Sequence, residues 1–579
     1  MSQHKKQSFL QGALILAFGA ILVKIIGVIF KIPLIRLIGS SGLGYFNTAY
    51  DLYLPIYTLA VAGLPVAVAK MVAESAAKKQ YKDIKKIYQT ALRAFLLTGT
   101  IGFLIMVGGA SVFVKFIRNP GAFYSILALS PMIFFSCMIS AHRGYYEGLC
   151  NMYPTAVSQI IEAVSKLVLG LGLAYVVVYF GNDYYELHGT VFGLVAQNPD
   201  DAKRLIFSLG AAGAISGVTI GSVLATVYLA IYHKKNKNII SKEEYDNSPP
   251  ARHYKEIIKT LVKIAIPVCF GALVLNITAL VDVTLLQRRI GDIVRNYPDF
   301  INTYYPNTEL VKLPGSEIAN SFYGYYGYAL ILYAIIPTIT QAFGVSALPT
   351  VTTAWTKNDK KHLKASMESA LKITALIAFP SGLSLAVLSK PILNLLYGGD
   401  ALGITIAAPL LTVLGISVIF LSFSSPINSM LQAIGKQNIP VILLIIGGLI
   451  KILTNYILVG IPSININGAP IGTLCCCVFV AVLGFIMLCI KTKILPNFLG
   501  VFVKPLAASG VCAVSGWVCN SLLAQLMSEK LSVLIAIVIA VIAYVIALLC
   551  LRTLTSDEIK MLPFGENLHK LLEKYSFIG

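Results

Sequence analysis

Apolar residues fill this chain in long runs separated by short polar segments. A hydrocarbon core needs about 20 apolar residues per helix. Fourteen runs meet that length, at 9–38, 47–73, 89–117, 123–146, 154–180, 206–232, 260–287, 325–352, 367–388, 403–424, 440–460, 466–490, 500–525 and 531–551. The pattern predicts an all-α polytopic membrane protein with about 14 transmembrane helices. Starting from a cytoplasmic N-terminus and alternating sides, the cytoplasmic segments hold more than twice as many Lys and Arg as the external ones. This is the positive-inside asymmetry, and it places both termini in the cytoplasm. Segments 74–88 and 233–259 carry much of the difference. The first run is too long for a signal-peptide core and no small-residue cleavage site follows it, so a retained first helix is expected.

The two sides of the polar 233–259 segment resemble each other. AGLPVAVAK, from Ala62 to Lys70, matches SALPTVTTA, from Ser346 to Ala354, and Pro154 matches Pro440 in a second pair of segments at nearly the same offset. RLIG at Arg36–Gly39 matches RRIG at Arg288–Gly291 with a shorter offset, which implies an insertion in the Tyr-rich external hairpin that follows. The expected organisation is an N-terminal lobe at 1–232 (helices 1–6), a cytoplasmic linker at 233–259, a C-terminal lobe at 260–490 (helices 7–12), and helices 13–14 with a cytoplasmic tail at 491–579. Six helices per repeat put both lobes in the same orientation, related by a pseudo-twofold axis along the membrane normal. Transporters of this build bind substrate between the lobes and alternate access by rocking them. Pro55, Pro65, Pro337 and Pro349 interrupt the second and eighth runs. Each removes a backbone hydrogen bond, so they are candidate gating or kink positions.

Composition narrows the function. The chain has 579 residues, is 57% hydrophobic and only 12% charged, with a mean hydropathy of +0.77. A soluble protein carries about 25% charged residues. The net charge of +20 would suggest nucleic acid in a soluble chain. Here it follows from topology, and no nucleic-acid partner is expected. The ten cysteines include the consecutive Cys475, Cys476 and Cys477. They offer no metal-ligand spacing and read as small residues in helix contacts. No GxxxxGK[ST], HExxH or GxSxG motif is present, so neither an ATP-driven pump nor a hydrolase is indicated, and no cofactor or metal is expected.

Charges inside the apolar runs carry the chemistry, because an intramembrane charge is costly and marks function by default. Lys24 and Lys31 lie in the first run, two helical turns less about 20° apart, and so share one side. They point to a cavity that receives an anion, with Lys451 and Arg36 as further substrate-binding candidates. Arg36, near a span end, is better suited to snorkelling. Glu162 and Lys166 are spaced i, i+4 with the acid first, the favourable order for an intrahelical pair. Asp51 and Asp282 are candidates for pairing with Lys24 or Lys31, or for ligating a coupling ion (Na+ or H+). The seven tyrosines between Tyr297 and Tyr328 suit an interfacial aromatic belt.

The segment Arg143–Glu162, RGYYEGLCNMYPTAVSQIIE, resembles the pattern RGYxQGxxxMxPTAxSQxxE of the stage V sporulation protein B-like polysaccharide transporters. These belong to the multidrug/oligosaccharidyl-lipid/polysaccharide (MOP) exporter superfamily, together with the lipid II flippases. Glu147 stands where the pattern has Gln. LQAIGKQNIP (Leu431–Pro440) and FGVSALPTVTTAW (Phe343–Trp355) are similar to family segments as well. The resemblance implies a fourteen-helix fold around a central cationic cavity. It also implies flipping of an undecaprenyl-pyrophosphate-linked saccharide, a peptidoglycan or other envelope precursor, to the outer leaflet of a bacterial cell membrane. Family arginines on the first helix fall at Lys24 and at Phe30, beside Lys31. The partners implied are the lipid-linked saccharide, membrane lipids and cell-wall synthesis enzymes, and a monomer suffices for transport. A cation-coupled multidrug exporter of the same superfamily and a non-transporting scaffold for cell-wall enzymes are the alternatives.

Overall fold

The computed structural model describes residues 9–61, 63–236 and 241–553. They form a helical chain whose long elements are α1 (Phe9–Val61), α2 (Leu64–Ala77), α3 (Tyr81–Ile117), α4 (Phe123–Gly148), α5 (Tyr153–Ser165), α6 (Leu171–His188), α7 (Pro199–Lys235), the short α8 (Lys242–Asp246) and α9 (Tyr254–Asn296). The short α10 (Phe300–Tyr304), α11 (Gly315–Tyr333), α12 (Ile335–Thr356), α13 (Lys360–Val387), α14 (Ser389–Tyr397) and α15 (Ala401–Ala433) follow. The last are α16 (Asn438–Leu458), α17 (Gly468–Thr492), α18 (Lys504–Leu523) and α19 (Glu529–Cys550). Helices dominate because a backbone in lipid must satisfy its own hydrogen bonds. Among the described residues, eleven helices are long and apolar enough to cross a membrane.

Glycines set the breaks nearest the N-terminus. Gly39 has φ 63° and ψ −171°, a conformation that only glycine adopts without strain. The chain folds back there, so Phe30 and Phe46 bring their ring centroids to 5.9 Å. Along a straight helix the same residues would lie about 24 Å apart. α1 is therefore two helices meeting at Gly39. A second break follows at Gly63, with φ 81°, and divides the second apolar run between α1 and α2. Pro65 stands in the first turn of α2 and Pro337 is the third residue of α12. A first-turn N–H has no intrahelical acceptor, so neither proline breaks a hydrogen-bond ladder. Both stand beside a break in the helix, Pro65 after Gly63 and Pro337 after Ala334, so the lost N–H is not an interior one. Pro55 does lie inside α1, and it removes the helical bond to the Asp51 carbonyl. The side chain of Pro349 lies outside the described residues.

Between α5 and α6 the helix widens into a π-helical turn at Lys166–Gly170. α7 packs on the turn and its flanks through Gly213, facing Leu173 of α6, Gly217, facing Gly170, and Gly221, facing Ser165 of α5. A side chain at Gly217 would collide with the backbone of Gly170. Such stripes of small residues let helix backbones approach closely in membranes.

By packing, the chain divides into two compact units, 1–324 and 325–579, with the division inside α11. The first has a core that includes Phe30, Phe46 and Tyr53 of α1, Phe95 of α3, Ile133 of α4 and Ile215 of α7. The second has a core around Leu371 and Phe379 of α13, Phe423 of α15 and Leu488 of α17. α9 packs against α1, α2 and α3, which is why it belongs to the first unit.

The part of segment 233–259 that the structure describes is docked on the first unit. α8 opens on a capping box between Ser241 and Glu244. Lys82 donates its Nζ proton to the Asp246 carbonyl at 3.1 Å and its backbone N–H to Ser248 at 3.1 Å. Arg252 donates to Asp83 from its backbone N–H at 3.0 Å and from its guanidinium at 2.6 and 2.9 Å. Burial by itself would raise the Asp83 carboxyl, but the bonds from Arg252 and Ser75 outweigh it and hold the group below its ordinary range.

The tyrosines of α11 depart from an interfacial belt. Tyr323, Tyr325, Tyr326 and Tyr328 are all buried, while Tyr297 and Tyr304 are exposed. Their hydroxyls explain the burial: Tyr323 donates to Asp51, and Tyr328 donates to Asp400 at 2.8 Å.

Candidate anion-binding site

The fold at Gly39 brings the charged residues of α1 together. Lys31 is half-buried on the first arm and Lys24 is exposed one face-repeat earlier. Asp51 lies on the second arm. In a straight helix Lys31 and Asp51 would be about 30 Å apart. Folded back, Asp51 and Lys24 supply the charges that act on Lys31. Asp51 is thus a carboxylate whose charge reaches Lys31, and it is shared with the Tyr323 hydroxyl. Asp282 is buried on α9, and Arg36 is exposed just ahead of the break.

The i, i+4 pair does not form. Glu162 is engaged by the Arg143 guanidinium, which also donates to Ser158 at 2.9 Å through Nε. This clasp joins α4 to α5 and accounts for three residues of the Arg143–Glu162 motif. Thr155 donates to Glu147 at 3.1 Å, so the acid in place of the motif's Gln is also satisfied. Arg143 was the partner that spacing could not reveal, since it lies 19 residues from Glu162 on another helix.

Lys166 is instead turned toward α1. Its ammonium sits 4.9 Å from the ring centre of Phe30, 5.7 Å from Phe46 and 5.5 Å from Tyr50. Three rings around one cation form an aromatic cage, and desolvated cation–π contacts are worth about 2 kcal/mol. Lys31 and Lys24 are close enough for their charges to act on it. The structure therefore brings three lysines, two from α1 and one from α5, within electrostatic reach of one another, with Asp51 beside Lys31. Phe30, where the resemblance places a family arginine, carries the Lys166 ammonium over its face. Tyr50, Tyr53 and Tyr57 continue from the cage along α1, with Tyr53 and Tyr57 stacked at 5.3 Å.

A buried polar seam joins α1, α9 and α11. Ser41 and Ser321 hydroxyls meet at 2.8 Å. Gln287 donates to Thr48 at 2.8 Å and accepts from Asn119 at 3.2 Å. Asn119 also donates to Asn320 at 2.9 Å, and Asn320 donates to the Ser41 carbonyl at 2.8 Å. Tyr45 donates to Glu317. Beyond the seam, Arg118, Gln287, Arg295 and Ser316 help to line a cavity of about 350 Å³.

Lys451 belongs to the second unit, half-buried on α16 with Cys477 of α17 in its electrostatic reach. At the opposite end of the first unit from the seam, Tyr88 and His142 bond at 3.0 Å and Tyr88 stacks on His233 at 4.4 Å. Dispersed in sequence, these histidines are drawn together by the ends of α3, α4 and α7. Among the described residues no group of His, Cys, Asp and Glu is placed to hold a metal ion.

Comparison with known proteins agrees with this architecture. Residues 9–198 match the model of the "Polysaccharide biosynthesis protein" family and residues 324–457 that of the MatE family. Stage V sporulation protein B of Bacillus subtilis (strain 168) is 22% identical over 567 residues, 96% of this chain and 98% of the relative. Lipid II flippase MurJ of the same organism is 24% identical over 490 residues, 83% of this chain and 82% of the relative. The chain is related to these proteins. Its fold is also theirs. The solved structure of lipid II flippase MurJ in an inward closed conformation covers 92% of this chain and 97% of its own at a TM-score of 0.57 and 16% identity. An inward-facing multidrug resistance MATE family transporter of the MOP superfamily covers 82% and 98%, also at 0.57, with 15% identity. The protein is a polytopic membrane protein with a transporter fold, and its relatives are named as flippases and transporters rather than enzymes.

Proposed function

We propose that this protein is a flippase that moves an undecaprenyl-pyrophosphate-linked saccharide, a precursor of peptidoglycan or another envelope polysaccharide, from the cytosolic to the outer leaflet of the bacterial cell membrane. The observation that carries the reading is the grouping of Lys24, Lys31 and Lys166, with the Asp51 carboxylate beside Lys31. Three cations would not persist in an apolar segment without an anionic ligand to balance them. The name of one relative, a lipid II flippase, supports the same substrate class. The diphosphate headgroup enters from the cytosolic leaflet, and the lysines offset its charge while the polyprenyl tail stays in lipid. The lobes then rock, with both termini on the cytosolic side and one chain sufficient. A membrane potential negative inside favours outward movement of an anion by about 2.3 kcal/mol per charge per 100 mV.

A cation exporter of the same superfamily needs acidic groups open to its cargo. In the first unit those groups are engaged: Glu162 by Arg143, Asp51 by Tyr323 and Glu317 by Tyr45. The deciding experiment is transport by the purified protein in vesicles, with a fluorescent lipid-linked saccharide in one assay and a cationic dye in the other. Movement of the lipid without the dye is expected, and dye efflux without lipid movement overturns the reading.

A further inference from the structure

Lys166 stands out from the other intramembrane charges by how it is held. Four features converge on it. The π-helical turn begins at Lys166 itself, and such turns occur frequently at functional sites because they re-aim a side chain. The acid one turn earlier, Glu162, is taken by Arg143. The ammonium is packed against the rings of Phe30, Phe46 and Tyr50, and among the described residues it makes no ion pair. Its charged neighbours are like charges, Lys31 and Lys24.

A lysine placed to stabilise helix packing would have kept its carboxylate one turn away. This one gives up that partner for a cage of neutral rings beside two more cations. With Arg143 and Glu162 cancelling, the three lysines outnumber the Asp51 carboxylate that acts on Lys31. A diphosphate diester carries two negative charges and a monophosphate diester one. The arrangement therefore matches a ligand with two adjacent phosphates, with Lys24 and Lys31 offered from α1 and Lys166 from α5. The aromatic cage holds the third cation ready without supplying a competing anion.

We infer that Lys166 is a specificity-determining residue whose ammonium, poised on Phe30, Phe46 and Tyr50, engages the second phosphate of a lipid-linked diphosphate and so discriminates diphosphate from monophosphate headgroups. This rests on the reading of the chain as a carrier of lipid-linked saccharides. Lys166→Arg keeps the charge and should keep the discrimination, whereas an uncharged residue should lose it.

The test is equilibrium binding to the full-length protein in detergent. The probes are a polyprenyl-diphosphate disaccharide, the matching polyprenyl-monophosphate saccharide, and a soluble diphosphate diester without the polyprenyl chain. Wild type is expected to bind the lipid diphosphate most tightly. Lys166→Met should weaken that binding by about tenfold or more, the range of a charge-assisted hydrogen bond, and bring it level with the monophosphate, whose binding stays unchanged. Lys166→Gln serves as a second neutral variant if the Met variant fails to fold, judged by size-exclusion profile and unfolding midpoint. Folded neutral variants that keep the wild-type preference overturn the role of Lys166 and leave the proposed function standing. Wild-type protein that binds no polyprenyl ligand, or binds the soluble diphosphate as tightly as the lipid, overturns the reading beneath it.

Discussion

Inside a membrane a carboxylate is stabilised most by a donor that can grip it in plane. Glu162 has two cations in reach of its helix, and the planar fork of Arg143 takes it, with Ser158 fixing the other edge of the guanidinium. Removing the acid as Glu162→Gln leaves a half-buried guanidinium without its counter-charge. We expect a loss of about 2–4 kcal/mol in stability, within the range for breaking a buried pair, measured as a lowered unfolding midpoint in detergent. A double variant with Arg143→Ala should recover part of the loss, as coupled neighbours do. Lys24 and Lys31 were legible in the sequence because a charge in an apolar run stands out by itself. Membership of Lys166 in the same cluster was not. Its spacing from Glu162 offered a local partner, and only the π-helical turn and the distant Arg143 show why that partner is declined.

At the scale of elements, the apolar runs marked where helices lie, and the breaks depended on single glycines that hydropathy does not register. Gly39 is the clearest. With φ 63° and ψ −171°, and with the Phe207 ring 3.3 Å from where a Cβ would stand, Gly39→Ala is expected to cost about 1–3 kcal/mol. It should also loosen the cage by parting Phe30 from Phe46. A falling unfolding midpoint together with weaker lipid-diphosphate binding checks both effects. The polar linker offered no periodicity from which its docking could be read, because the bonds from Arg252 and Lys82 reach segments far away in the chain. The Asp83 carboxyl is held below its ordinary range. Its contribution is therefore present above the unfolded carboxylate pKa of about 3.9 and is lost as pH falls through the lower folded value. Residues 241–252 should be protected from hydrogen exchange at neutral pH, and Asp83→Asn should abolish that protection at every pH. Protection that survives the substitution would show that other contacts hold the linker.

For the whole molecule, the proposed transport cycle is expected to open and close the seam between α1, α9 and α11, which lies within the first compact unit. Ser41 and Ser321 hydroxyls touch across it. A Ser41→Cys/Ser321→Cys pair should form a disulfide under oxidation, stop transport, and release it on reduction. Transport that continues with the crosslink in place would mean that this seam does not part. The transporter class and the cationic first helix were visible in the sequence, since each is written in local pattern. The folded-back α1, which sets Asp51 beside Lys31, was not, because it depends on two arms meeting in space. The central claim is that the lysines of α1 compensate a lipid-linked diphosphate in transit. Its most direct test is flipping of a lipid-linked saccharide in proteoliposomes by the Lys24→Ala/Lys31→Ala double variant. Loss of flipping in a protein that still folds is predicted, and undiminished flipping by the folded variant would contradict the account.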